Sequence, residues 1–275
     1  MSAKFRKPGV YIEEISKFPP SVAEVETAIP AFIGFTEKGV HNGQSIINKP
    51  LRINSLLDYQ QIFGFPKPAE FDNTGTSAKC IKIRQDKNNP GNYLLDGKDI
   101  LDPYPDLKFR LYYCLQMYFA NGGVACYVVS CGTYSDFGST TAAQKMAGAL
   151  EALKKADEPT LIVFCDAVNL GSSDYYPLYQ AALSQAANLK GRFVIIDTRL
   201  NEPLSALDSE FRQNIGNKNL SYGAAYYPWL KTSLNYYFDE INLKIIDESS
   251  QVWFLRHDGD VATSWASARA APLSA

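Results

Sequence analysis

From Leu107 onward apolar residues recur with two alternating periods. Leu107, Leu111, Cys114, Leu115 and Tyr118 fall at i, i+4, i+7, i+8 and i+11, the spacing of one helix face, and Gly122-Gly123 stops the pattern. The run VACYVVS then predicts a strand. A helix beginning near Thr140-Thr141 comes after it, with Met146, Leu150 and Leu153 on one face and Lys145, Glu151 and Lys155 elsewhere. Next come a strand at TLIVFCD, a helix from Ser173 to about Leu189, a strand at RFVIIDT, a short helix near Leu207 to Ile215, and a strand at YGAAYYPWL. This β-α-β-α-β-α-β order predicts an α/β protein with a layered, largely parallel sheet, flanking helices and right-handed crossovers. LIVFC and FVII are unbroken apolar runs, the signature of strands covered on both faces.

The earlier part of the chain is less regular. AFIGFTEKG (31–39) predicts a strand that ends in a turn glycine. KPLRINSLLDYQQIFG reads as strand, cap and helix, with Asn54 or Ser55 accepting from the first-turn amides and Gly64 supplying the stop. Residues 66–105 are rich in turn clusters and predict a surface insertion, with a hairpin about Asp96-Gly97 in NYLLDGKDI. After YYFDEINLKIIDES the pattern degrades, and 246–275 predicts an irregular tail. The chain therefore divides into an arm over 1–30, an α/β core over 31–245 and that tail. The arm holds a strand of its own, since KPGVYIEEI favours extended backbone at Val10, Tyr11, Ile12 and Ile15. The next stretch, SKFPPSVAEVETAIP, holds three prolines and offers that strand no sequence-local partner.

Composition narrows the function classes. A formal net charge of −2, with no Lys/Arg run, argues against a nucleic-acid partner, which calls for a basic excess. Five cysteines (Cys80, Cys114, Cys126, Cys131 and Cys165) form no C-x-x-C pair, as in a cytosolic protein whose thiols stay reduced. The two histidines, His41 and His257, are too few for a histidine-rich metal site, and no metal or cofactor is expected. Lys4, Arg6, Lys7, Glu13 and Glu14 interrupt any apolar run of the signal-peptide kind. Leu111 to Ser135 carries no formal charge, but Asn121-Gly122-Gly123 cuts it into halves too short to span a bilayer, so no membrane insertion is expected.

Open α/β sheets bind ligands at the carboxyl ends of their strands, where Asp166 in FCDAVNL and Asp197 in IIDTRL sit. Each is a candidate carboxylate for catalysis or cation binding, or an Asp that turns the chain and caps the next segment. A ligand-binding domain would use that pair. No strand is followed by G-x-G-x-x-G, and no G-x-x-x-x-G-K-[ST] is present, which argues against dinucleotide and P-loop sites. A subtilisin-like hydrolase would place Asp197, His257 and Ser264 as orienter, base and nucleophile. His257 and Ser264, however, lie in a weakly patterned tail, where nothing would hold the base within reach of the nucleophile. AAYYPWL and LNYYFDE carry aromatic residues without interleaved basic ones, a composition of cores and protein interfaces.

Taken in order, KPGVYIEEI…PPSVAEVETAIPAFIGFTEKG, PLRINSLLDYQQIFG, YFANGGVACYVVSCG, ADEPTLIVFCDAV, LKGRFVIIDT and GAAYYPWLK resemble successive blocks of contractile tail sheath proteins, from about residue 7 to about 231. Those proteins serve phages with contractile tails and phage-tail-like injection systems. The resemblance implies a subtilisin-like core without a catalytic triad and a structural role with no catalytic residue. It also implies a subunit that polymerises around an inner tube protein. The partners it implies are neighbouring sheath subunits, that inner tube, and baseplate and terminator proteins. Assembly would occur in the cytoplasm, within a particle or virion tail that can later be released. Val10, Tyr11, Ile12 and Ile15 would then pair with a neighbouring subunit. Residues 232–275 do not resemble the C-terminal domain of the family, and the expectation is that this chain alone stays mostly monomeric or poorly assembled.

Overall fold

The computed structural model of the chain describes residues 28–68, 81–85, 87–88, 93–95, 108–138, 141–199, 205, 207–230, 232, 234, 237, 244–246, 252–254 and 271–272. In chain order, β1 (Pro30–Thr36) leads into the short hairpin of β2 (Val40–His41) and β3 (Gln44–Ser45), then β4 (Leu51–Ile53) and α1 (Leu56–Phe63). β5 (Ile81–Gln85) and β6 (Tyr93–Leu95) precede α2 (Leu111–Ala120) and β7 (Cys126–Thr133). α3 (Ala142–Leu153), β8 (Leu161–Phe164), α4 (Ser172–Leu189) and β9 (Phe193–Asp197) come next. A π turn (Leu207–Phe211), α5 (Arg212–Ile215), β10 (Gly223–Tyr226), β11 (Lys244–Ile246), β12 (Val252–Phe254) and β13 (Ala271–Pro272) complete the order.

The α/β expectation holds. One sheet has six strands in the order β10-β9-β8-β1-β7-β4, and every neighbouring pair is parallel except β4 with β7. β1 is central because each of its residues is buried, Ala31, Ile33 and Phe35 facing one core and Phe32 the other. The first core lies under α3 and α4, where Met146, Leu150, Leu153, Tyr175 and Tyr179 meet Ile162, Phe164, Val194 and Ile196. The second lies under α1 and α2, where Tyr59, Phe63, Leu111 and Leu115 meet Phe32, Ile53 and Val128. The strands β8 and β9 differ from expectation. They bury alternate residues, and the others are only half-covered. The reason lies in the helices: α1 and α2 pack about β1, β4 and β7 and leave the second face of β8 and β9 partly open.

Local signals explain the helix limits. Ser55 caps α1, its Oγ accepting from Asp58 N at 3.1 Å, and Gly64 ends it at φ 92°. α2 stops at Asn121, with Gly122 at φ 85°. α3 ends where Arg192 donates to the carbonyls of Leu153 and Ala156. A second sheet has the order β13-β12-β11-β5-β6. Tyr93–Leu95 pairs with the preceding Ile81–Gln85, whereas the sequence predicted pairing across Asp96-Gly97; those two residues lie outside the described ones. β12 and β13 fall within the stretch expected to be irregular. No helix among the described residues is long and apolar enough to cross a membrane.

Candidate functional site

The connection leaving β1 runs toward β4 and β7, and the one leaving β8 runs toward β9, so the strand order reverses between β1 and β8. This is where open parallel sheets place ligands. Asp166 occupies that point. Pairing of β1 with β8 ends at Ile33 and Phe164, after which Cys165 N donates to Ile33 O at 3.0 Å. The Phe35 amide faces the same side and has lost its strand partner. It donates instead to Asp166 Oδ2 at 2.8 Å. Asp166 Oδ1 accepts from Arg110 N at 2.6 Å, at the start of α2, where Arg110 provides no side-chain cap. The carboxylate therefore caps a helix 56 residues earlier in the chain, and not the turn immediately after it, whose first residues receive no side-chain bond.

Gly34 makes this approach possible. A Cβ at that position would lie 2.7 Å from Asp166 Oδ2 and 3.0 Å from Leu111 Cβ. The β1–β7 register also slips between Gly34 and Phe35, where Cys131 of β7 is the extra, unpaired residue. Asp166 is fully buried, and desolvation pushes its carboxyl up to about 6 against the lowering influence of the Arg110 and Phe35 amides and the Arg110 guanidinium.

Arg110 ties the neighbouring strand ends to this anchor. Its Nη1 donates to Asn169 Oδ1 at 2.9 Å, and its guanidinium lies 5.6 Å from the centre of the Trp229 ring. Trp229 Nε1 donates to Thr198 O at 3.0 Å, just beyond β9. The Tyr175 hydroxyl donates to Asp197 O. Burial raises the Asp197 carboxyl, and the Arg110 charge opposes that rise. One cation thus faces both predicted carboxylates and links α2, β8, β9 and the segment after β10.

The chemistry open to this edge is limited among the described residues. Both oxygens of Asp166 are engaged by backbone amides, which makes it an anchor more than a free base. Burial pushes the thiols of Cys131 and Cys165 well up, and that of Cys126 up to about 12, so they remain protonated near neutrality. His41 lies on the β2–β3 hairpin against Asn42. No group of three or more His, Cys, Asp or Glu able to hold a metal occurs among the described residues. Of the hydrolase trio only Asp197 is described; His257 and Ser264 lie outside the described residues, as do Val10, Tyr11, Ile12 and Ile15.

The sequence pointed to Asp166 and Asp197 but not to Arg110, Asn169, Trp229 or Gly34. Two signals were there to find. Arg110 is the last charge before the uncharged Leu111–Ser135 stretch, and Gly34 interrupts an otherwise apolar strand, a mark of close backbone approach. No protein-family model and no curated protein matches the chain.

Proposed function

We propose that the chain is a structural subunit of a contractile tail sheath, built on a subtilisin-like core without catalytic use of its carboxylates. One observation carries the reading. Sequence blocks that resemble the sheath family in order fall on β1, β4–α1, β7, β8, β9 and β10, the strands of one sheet. The carboxylate at the switch point of that sheet is consumed by the Phe35 and Arg110 amides. A rigid body closed at the edge where an enzyme would work suits a part that bears load.

In this reading, residues 1–30 form an arm whose Val10–Ile15 strand adds to a neighbouring subunit, satisfying backbone groups that would otherwise form a sticky edge. Many identical contacts hold an extended lattice around an inner tube protein. Rearrangement of rigid cores joined by continuous arms shortens that lattice and drives the tube forward. Baseplate and terminator proteins bound the polymer at its ends, and no nucleic acid or cofactor takes part. The particle assembles in the cytoplasm.

Immunogold electron microscopy of tail-like particles from producing cells tests this proposal. Gold along the length of the sheath, in extended and contracted particles, is the expected result. Gold absent from the sheath, or confined to one end of the particle, would overturn it.

A further inference from the structure

Asn-Gly occurs twice in the chain, at Asn42-Gly43 and at Asn121-Gly122. The dipeptide is chemically unstable wherever the glycine nitrogen can reach the asparagine Cγ, because glycine has no Cβ to obstruct ring closure. Both pairs are exposed, so exposure does not separate them. Hydrogen bonding does. At the end of α2, Asn121 Nδ2 donates to Met117 O at 2.8 Å, and the Gly122 amide donates to Phe119 O at 3.1 Å. The nitrogen that would leave and the nitrogen that would attack are both held. Asn42 and Gly43 instead form the tip of the β2–β3 hairpin, where His41 pairs with Gln44. Their φ values, 49° and 73°, are both positive, as in the type I′ turn that joins two strands through two residues. Among the described residues no hydrogen bond engages the Gly43 amide. A Cβ at Gly43 would meet nothing within 4 Å, so the space around it is open. Asn42 Nδ2 donates to His41 Nε2 at 3.1 Å. A hairpin of two residue pairs is marginal by itself, so its tip opens at small cost and lets the ring close.

We infer that Asn42-Gly43 is a site of spontaneous covalent modification, in which the folded chain converts Asn42 through a succinimide to aspartate and isoaspartate. The Gly43 amide gives its proton to a solvent base, and its nitrogen bonds to Asn42 Cγ. The Cγ–Nδ2 bond breaks, and the side-chain nitrogen takes up a proton and departs as ammonia. His41 Nε2, within hydrogen-bond reach of that nitrogen, is placed to deliver the proton from the protonated ring. Water then opens the succinimide. Opening at Cγ leaves aspartate, and opening at the main-chain carbonyl leaves isoaspartate. The net change is uptake of water and loss of ammonia, so no oxidant or cofactor is needed. Either product puts a negative charge on a hairpin, Val40 to Ser45, that holds no acidic residue. Isoaspartate also lengthens the main chain at the tip, which a two-residue I′ turn does not accommodate, and β2 and β3 then lose their pairing.

Incubation of the full chain at neutral pH tests the inference, with the products read by proteolysis and mass spectrometry using electron-transfer fragmentation, which separates aspartate from isoaspartate. In the folded chain Asn42 should convert about ten-fold or more faster than Asn121, whose two hydrogen bonds must break before its ring can close. In urea the two sites should react at similar rates, because only the folded chain distinguishes them. His41→Phe keeps a flat ring at the position without its nitrogens, and should slow the folded reaction at Asn42 about three-fold or more. Mere loosening of the hairpin would speed that reaction, so slowing separates proton delivery from a structural effect. Equal rates in the folded chain, faster loss at Asn121, or an Asn42 that stays intact while the unfolded chain reacts would overturn the site. An unslowed reaction in His41→Phe would overturn the part given to His41.

Discussion

Asp166 shows how one side chain can be both legible and misread. An Asp at a strand end in a sheet of this class predicts either chemistry or a local cap. It is a cap, but for Phe35, 131 residues away, and for the start of α2. Its burial has a consequence in pH. The folded carboxyl titrates at about 6 and the unfolded one near 3.8, so between those values the folded state binds more protons. The contribution is fully present below about pH 4 and is lost as pH rises through about 6, a change on the order of 3 kcal/mol. Asp136 acts in the opposite sense, because the Thr133 amide and hydroxyl and Lys145 hold its carboxyl down at about 2. Its stabilisation is present above about pH 4 and lost as pH falls through 2. Urea unfolding measured from pH 4 to 7 should show stability declining with pH, and Asp166→Asn should flatten that decline.

At the scale of elements, period and punctuation were reliable guides. β1, α1, α3, α4 and β9 all fall on the segments expected, β1 and α4 each starting one residue early, and Ser55, of the two candidate caps, is the one that bonds to Asp58 N. Removing that bond with Ser55→Ala should cost about 1 kcal/mol in denaturant unfolding, with an unchanged m-value. Asp58 also accepts from Asn54 N at 2.9 Å, so both partners brace the entry to α1. Where period failed, distance was the cause. Tyr93–Leu95 has strand character, but whether it pairs forward across Asp96-Gly97 or back to Ile81–Gln85 depends on register that no local pattern carries. Likewise, the apolar runs of β8 and β9 announce buried strands without stating how far α1 and α2 extend over them.

For the molecule as a whole, stability should be graded outward from β1. It is buried along its length and hydrogen-bonded on both sides, whereas β4 and β10 are the outer strands of the sheet. Hydrogen exchange read by mass spectrometry should give the slowest exchange in β1 and β7 and the fastest among the sheet strands in β10. By itself, the amino-acid sequence determined the α/β class, the order of strands and helices from α2 to β10, and which side chains seek the interior, because these arise from local period and backbone preference. The tertiary structure alone decided that β1 is central, that β4 runs antiparallel, and that Asp166, Asp197 and Trp229 gather about Arg110. Those facts depend on contacts between segments far apart in the chain, whose free energy exists only once the layers have packed.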